Sequence, residues 1–298
     1  MKKLFDARIM LILSMAVFGT IGYFKRNIAV SSGELALYRA VLAAVFIGLF
    51  LLITNQKIPF GKIKKQIPLL ALSGVAMGFN WILLFEAYEN TTVSIATISY
   101  YFAPVIVMLA CPLLFKEKMG LKQWICFAMS SVGIVLISVS GESEEGNNHL
   151  LGIIFGLGAA CLYATVILIN KFIKSVDGIH RTFLQFIAAI VVLVPYVLMT
   201  DGITLGGLDA KGWVFLLIIG FVHTGITYCL YFSSLKELSG QKAAVLSYID
   251  PLVAVLCSCF LLQESMEVWQ IIGAVLVFGF TLLNEIDIKK LNLRRKKQ

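Results

Sequence analysis

Apolar residues in this chain run in stretches of about twenty, each broken by a short polar segment, and that length crosses a hydrocarbon core about 30 Å thick. Ten such stretches can be drawn, at 8–24, 35–54, 67–88, 92–115, 119–140, 150–172, 182–200, 212–234, 240–262 and 267–285. Open strands are excluded there, because their backbone groups would go unpaired in lipid. The pattern predicts an all-α integral membrane protein of ten transmembrane helices, with no extramembrane domain to house a soluble catalytic centre. The start, Met1-Lys2-Lys3 and an apolar run, passes through Gly19-Thr20-Ile21-Gly22 into Lys25-Arg26 without a small-x-small cleavage site. It is read as a retained first span rather than a secretory signal.

The polar punctuation repeats. Tyr101, Pro104, Glu117, Met119 and Gln123 are matched by Tyr248, Pro251, Glu264, Met266 and Gln270, always at an offset of 147 residues. The match runs back through Ala96 and Ala243, Phe85 and Phe232, and Leu83 and Leu230 to Gly78 and Gly225. Each half holds five spans, an odd number, so equivalent segments enter the membrane from opposite sides. The expected architecture is a 5+5 inverted-topology repeat, with a site near the midplane between the halves. The expected units are a first repeat over 1–141, an external acidic linker over 142–149, a second repeat over 150–288 and a basic cytoplasmic tail over 289–298.

Composition agrees. The chain has 298 residues, 59% of them hydrophobic and 14% charged, against about 25% charged in a soluble domain. The net charge of +8 could suggest nucleic acid, but its distribution argues otherwise. With the N-terminus placed in the cytoplasm, all of the 25 basic residues fall on the cytoplasmic side except Lys25, Arg26, Lys211 and the intramembrane Arg39. That asymmetry fits the positive-inside rule with both termini cytoplasmic, in a multi-pass protein of the cell membrane. Glu117 is then inside and Glu264 outside, and the acidic run Glu142-Ser143-Glu144-Glu145 is external. Trp124, Trp213 and Trp269 fall near span ends, where amphipathic rings prefer the interface, whereas Trp81 lies mid-span. The six cysteines lie within spans without metal-ligand spacing and read as packing residues.

The layout resembles the EamA-type branch of the drug/metabolite transporter superfamily. The residues that carry the resemblance are Arg39 in the second span, the segment Leu84-Phe85-Glu86-Ala87-Tyr88, and the doubled pattern of apolar span, Pro, thirteen residues, Glu, then Gln. That pattern runs from Ala103-Pro104 through Glu117 to Gln123, and from Asp250-Pro251 through Glu264 to Gln270. The resemblance implies secondary transport of small polar or amphipathic metabolites, often amino-acid export, through a cavity lined by spans one, three, four, six, eight and nine. Two positions depart from the family pattern. Glu86 stands where the family more usually has an uncharged residue, and Asp250 stands opposite Ala103 in the repeat.

Intramembrane ionisable residues cost about 2.5–3.5 kcal/mol at a helix centre on the insertion scale, so each needs a reason. Four lie well inside spans: Arg39, Glu86, His223 and Asp250. Asp250 is the deepest and suits proton coupling or a contact for a substrate ammonium; the bland alternative is a hydrogen bond between helices. Arg39 and Glu86 lie at similar depth in the outer third and could pair across helices, as structural partners or an outer gate. His223 reads as a packing residue or a proton relay. Pro104 and Pro251 free the carbonyls of Tyr100 and Ser247, kinking spans four and nine either as moving elements or for packing. Asn80, Trp81, Tyr100, Tyr101, Tyr163, Thr227, Tyr228, Ser247 and Tyr248 complete the candidate substrate-binding set with Asp250. Aromatic walls with a few hydroxyls suit an amphipathic or ring-bearing substrate, and helix packing is the alternative for each. The G-x-x-x-G spacings of Gly74 and Gly78, and of Gly152 and Gly156, point to close backbone contact.

These readings converge on a secondary transporter with no cofactor and no metal. The expected cargo is a small metabolite, an amino acid or related amphipathic compound, exported by alternating access with possible proton coupling. The partners are the substrate, the bilayer and protons, without nucleic acid, in a monomer or homodimer. The alternatives are an importer or uncoupled facilitator of another class of metabolite. A polytopic membrane enzyme would need a His, Asp, Glu or Cys cluster at one surface, and His149, His180 and His223 are scattered. A lipid-handling protein would leave the inverted repeat unexplained. No G-x-x-x-x-G-K loop is present, which argues against ATP-driven pumping.

Overall fold

A computed structural model describes residues 6–58, 60–115, 120–139, 148–173, 176, 178–200, 202–235, 246–247 and 249–285. Glu117, Tyr248, the acidic run 142–145 and the basic tail lie outside the described residues.

The described residues are helical, with short connections and no strand. In chain order the helices are α1 (Ala7–Gly19), α2 (Ile21–Lys25), α3 (Ser32–Ile53), α4 (Phe60–Ile63), α5 (Ile67–Asn90), α6 (Val93–Tyr100), α7 (Ala103–Phe115), α8 (Leu121–Val139), α9 (His149–Phe172), α10 (Gly178–Met199), α11 (Ala210–Leu217), α12 (Thr227–Leu235), α13 (Ile249–Leu261) and α14 (Val268–Glu285), with a π-helical segment, Ile218–Ile226, between α11 and α12. Among the described residues, seven helical stretches are long and apolar enough to cross a membrane. Three shorter apolar helices, Leu121–Ile137, Ile249–Leu261 and Val268–Asn284, accompany them.

The polar breaks start helices by supplying side-chain caps to backbone N–H groups that lack an intrahelical partner. Asp6 accepts from the Arg8 N–H, Ser31 from Glu34, Thr92 from Ile95, Asn148 from Leu151 and Asp209 from Gly212. Large apolar side chains such as Leu52, Leu72, Val191 and Phe260 face outward, while Arg39, Asn80, Gln185 and His223 are buried. This is the arrangement a hydrocarbon solvent selects.

Small residues set the helix spacing. A Cβ at Gly74 would collide with the Gln185 carbonyl, and one at Gly78 would meet Leu193, so α5 and α10 touch along that stripe. Gly152 and Gly156 bring α9 against Thr91 and Ser99. Both G-x-x-x-G spacings therefore serve contacts within the chain. The tightest reciprocal contact joins α8 to α14: a Cβ on Gly133 would lie 2.7 Å from the Gly273 carbonyl oxygen, and one on Gly273 would lie 2.6 Å from that of Gly133.

Pro104 does not bend a continuous helix as the sequence suggests. α6 ends at Tyr100 and α7 begins at Ala103, so Pro104 is the second residue of a new helix. Pro is well placed in a first turn, where no intrahelical N–H bond is lost. The apolar stretch Val93–Ala110 is thus interrupted at Tyr101-Phe102. Pro251 lies in α13; residues 246–247 ahead of it are also helical, and residue 248 lies outside the described residues.

Candidate functional site

The helices surround a central cavity of about 440 Å³. Three groups of side chains give it its chemistry: the charges Arg39 and Asp250, the aromatic rings, and the amides Asn170 and Gln185. Of the expected substrate-binding residues, Trp81, Tyr100, Tyr101, Tyr163, Tyr228, Ser247 and Asp250 line it, as do Arg39 and Pro104. Tyr88 and Tyr231 add two more phenols. The lining also includes α3, through Arg39, and α10, through Thr182 and Gln185. These helices lie outside the six spans that the family resemblance implies.

The other expected residues are elsewhere. Asn80 is buried and donates to the Ala159 carbonyl at 2.6 Å, tying α5 to α9. Thr227 donates to the Val222 carbonyl at 2.7 Å. His223 hydrogen-bonds the Thr20 hydroxyl at 2.8 Å and meets Phe24 edge-on, with ring centroids 4.8 Å apart. Pro251 is buried in α13 but does not line the cavity. Glu86 faces a separate groove with Lys25, Ser32, Glu89 and Thr204. The expected Arg39–Glu86 pairing is absent among the described residues. Arg39 instead donates Nε to the Thr224 hydroxyl at 2.8 Å and lies over Trp81, 4.4 Å from the ring centroid.

Asp250 sits where α1 and α13 approach. A Cβ on Gly19 would run into the Asp250 carbonyl and the Val253 side chain, so glycine admits the close crossing. The carboxylate accepts from the Tyr101 hydroxyl at 2.7 Å. Tyr101 is at the break between α6 and α7, so the interruption places a phenol beside the carboxylate. Aromatic rings pack in and behind the walls in two groups. Phe186 lies 5.5 Å from Trp81 and 5.5 Å from Tyr228 between ring centroids, and Tyr100 lies 5.3 Å from Tyr163. Trp81 and Tyr228, equivalent at the 147-residue offset, flank Phe186. At the same offset Arg39 is matched by Phe186, and Gln185 stands next to it in α10. No ion pair within 4.0 Å joins Arg39 to Asp250 among the described residues.

Polar contacts beyond one end of the cavity form a candidate seal. Ile21 and Tyr88 line it, and Lys25 and Glu89, just beyond them in the same helices, are ion-paired. Arg26 pairs with Glu264 at 3.1 Å and donates to the Thr91 carbonyl at 2.7 Å. Glu264 also accepts from the Val93 N–H at 2.8 Å, at the start of α6, and from the Ser258 hydroxyl. At the other end the lining reaches Asn170 and Thr182, close to where α9 stops and α10 starts. Sequence reasoning marked Glu264 only as punctuation; its recurrence thirteen residues after Pro251 was the available signal. Lys25 and Glu89 carried no comparable pattern.

The sequence model of the EamA-like transporter family matches residues 7–139 and again 150–285. An uncharacterised transporter, YxxF, of Bacillus subtilis is 30% identical over 93% of this chain and 89% of its own length. The protein PecM of Dickeya dadantii is 24% identical over 87% of this chain and 86% of its length. Solute carrier family 35 member G1 of mouse is 24% identical over 89% of this chain and 74% of its length. A solved crystal structure superposes with a TM-score of 0.64 at 14% identity, covering 98% of this chain and 99% of that one, which establishes likeness of fold. A doubled match spanning nearly the whole sequence, in a helical protein built around a central cavity, shows that the chain is a membrane transporter and belongs to the EamA-like transporter family.

Proposed function

We propose that this transporter exports a small metabolite, an amino acid or related amphipathic compound, across the cell membrane by alternating access. In this reading the three shorter apolar helices also cross the bilayer, giving ten spans in a 5+5 inverted repeat. The twofold family match and the paired positions Trp81 and Tyr228 support that arrangement. The end with Lys57, Lys64, Lys65, Lys122 and Arg181 is cytoplasmic, so the sealed end faces outward and the cavity reaches toward the cytoplasm.

The observation that carries the proposal is the aromatic cavity with one carboxylate among its described lining residues, Asp250, held by Tyr101. A carboxylate among rings can hold a substrate ammonium or exchange a proton with the cargo. The test is uptake of labelled amino acids by proteoliposomes under an imposed pH gradient. Asp250→Asn is expected to lower transport about ten-fold, the scale of one charge-assisted hydrogen bond, and to remove its pH dependence. Transport and pH dependence both unchanged in Asp250→Asn would remove Asp250 from the mechanism. Wild-type transport indifferent to the gradient would identify a facilitator.

A further inference from the structure

The cavity contains a guanidinium held rigidly at one edge and unpartnered at the other. Arg39 is only 4% exposed. Its Nε is committed to Thr224, whose own hydroxyl proton goes to the Ile219 carbonyl at 2.9 Å. That second bond spans five residues, as the π-helical turn allows. Thr224 therefore offers Arg39 a lone pair and nothing else. The guanidinium face is covered by Trp81 at 4.4 Å and Phe85 at 5.9 Å. These contacts fix the plane of the group.

The two terminal nitrogens, Nη1 and Nη2, have no hydrogen-bond or ion-pair partner among the described residues, and they are not sealed from the cavity that Arg39 lines. A guanidinium stays charged at any physiological pH, and a buried charge is costly unless something pairs with it. Asp250 lies beyond ion-pairing distance. A planar fork with free parallel donors matches a carboxylate or phosphate-type oxyanion in two-point contact.

We propose that Arg39 is the anion subsite of the cavity: the oxyanion of the cargo docks on Nη1 and Nη2 while its apolar body lies along the aromatic wall. Thr224 is a positioning residue, acting through Arg39. In the second repeat the counterpart of Arg39 by offset is the uncharged Phe186, and the neighbouring Gln185 is neutral and already donates to Ser73 at 2.6 Å and Asn170 at 2.8 Å. Among the described lining residues Arg39 is the one cation, which favours a single orientation of the cargo. This assignment rests on the transport reading above and specifies what it carries.

The test is thermal stabilisation of the purified full-length protein by 3-phenylpropanoate, phenyl phosphate, inorganic phosphate and the neutral 3-phenylpropanamide. The acid is expected to bind at least about ten-fold more tightly than the amide, as two charge-assisted bonds would give. The two phosphate arms show whether carboxylate or phosphate is preferred and whether the apolar body is needed. Arg39→Gln should abolish the preference for acid over amide, and Arg39→Lys should weaken it by keeping the charge without the fork. Thr224→Val should reduce the same ratio, and Thr224→Ser should restore it, which gives a readout if the arginine variants do not fold. An acid preference missing from the wild type, or one that survives in the Arg39 and Thr224→Val variants alike, overturns the proposal. Transport of neutral or cationic metabolites by a protein that shows no acid preference overturns the subsite but leaves the transport reading intact. Acid binding lost in Arg39→Gln, with no transport of the acid by wild-type proteoliposomes, supports the subsite and sinks the transport reading.

Discussion

Gly133→Leu is expected to deprive the protein of most of its folded form in detergent, through one contact between α8 and α14. The two glycines there meet backbone to backbone: each would direct a Cβ within 2.7 Å of the other's carbonyl oxygen. The added carbon would also meet Val277 at 2.9 Å. A flexible side chain can rotate away from such a clash, but a helix carbonyl cannot without moving the helix. Overpacking in a tight interior costs about 1–3 kcal/mol and more where the neighbour cannot yield. Close backbone approach is also a main source of helix association in lipid. Gly279, on the same helix as Gly273, has nothing within 4 Å of its Cβ position. Gly279→Leu is the matched control and is expected to melt like the wild type. Melting temperatures and monodisperse yield compare the two. Equal behaviour of the two variants would show that the α8–α14 contact carries no stability.

Glu264→Ala is expected to open the sealed end. The substitution removes an ion pair to Arg26, an acceptor for the first N–H of α6 and the partner of Ser258. Arg26 and Glu264 are 25% and 15% exposed, between surface and interior, so the loss is about 1–3 kcal/mol after allowance for solvent screening. Each 1.4 kcal/mol is about a ten-fold change in a two-state equilibrium, enough to shift the population between closed and open forms. A cysteine at Ile21, on the cavity side of the seal, gives the readout in an otherwise cysteine-free background. Its labelling by an impermeant thiol reagent from the sealed side should rise at least about ten-fold in Glu264→Ala. Unchanged labelling would reduce the network to a static brace. Arg26→Gln should act in the same direction and more weakly, since Glu264 keeps its bonds to Val93 and Ser258.

Much of this site is legible in the sequence because lipid makes polar residues conspicuous. Asp250 and Arg39 stand out as charges within apolar runs, and the fixed offset pairs Trp81 with Tyr228 before any contact is known. What the sequence conceals is local geometry. A proline in an apolar run reads equally as a kink or a helix start, and the interruption at Tyr101 that sets a phenol beside Asp250 follows from the second. The π-helical segment has no residue signature, so the Thr224 contact that holds Arg39 could not be found from spacing. Depth alone suggested Arg39 with Glu86, but depth does not say which face of a helix a side chain leaves. Trp81 is the nearer partner because its ring stacks on the guanidinium. Asn80 and Thr227 show the converse: polar residues on spans that lead to the cavity, with their hydrogen bonds spent on backbone carbonyls.

The seal has one more consequence. Lys25 is the last residue of α2, and its counterpart by repeat offset, Phe172, is the last residue of α9. Ile173 stands opposite Arg26 in the same alignment and is 2% exposed. The two cations of the clasp therefore have greasy counterparts in the second repeat, while the acids Glu89 and Glu264 answer to Lys236 and Glu117. If the halves exchange roles, the second closure cannot be made of the same ion pairs. Salt shortens the reach of charges to about 8 Å at physiological strength and less above it, and leaves apolar contact standing. Ionic strength is then expected to act on this end of the cavity, loosening the Lys25–Glu89 and Arg26–Glu264 pairs.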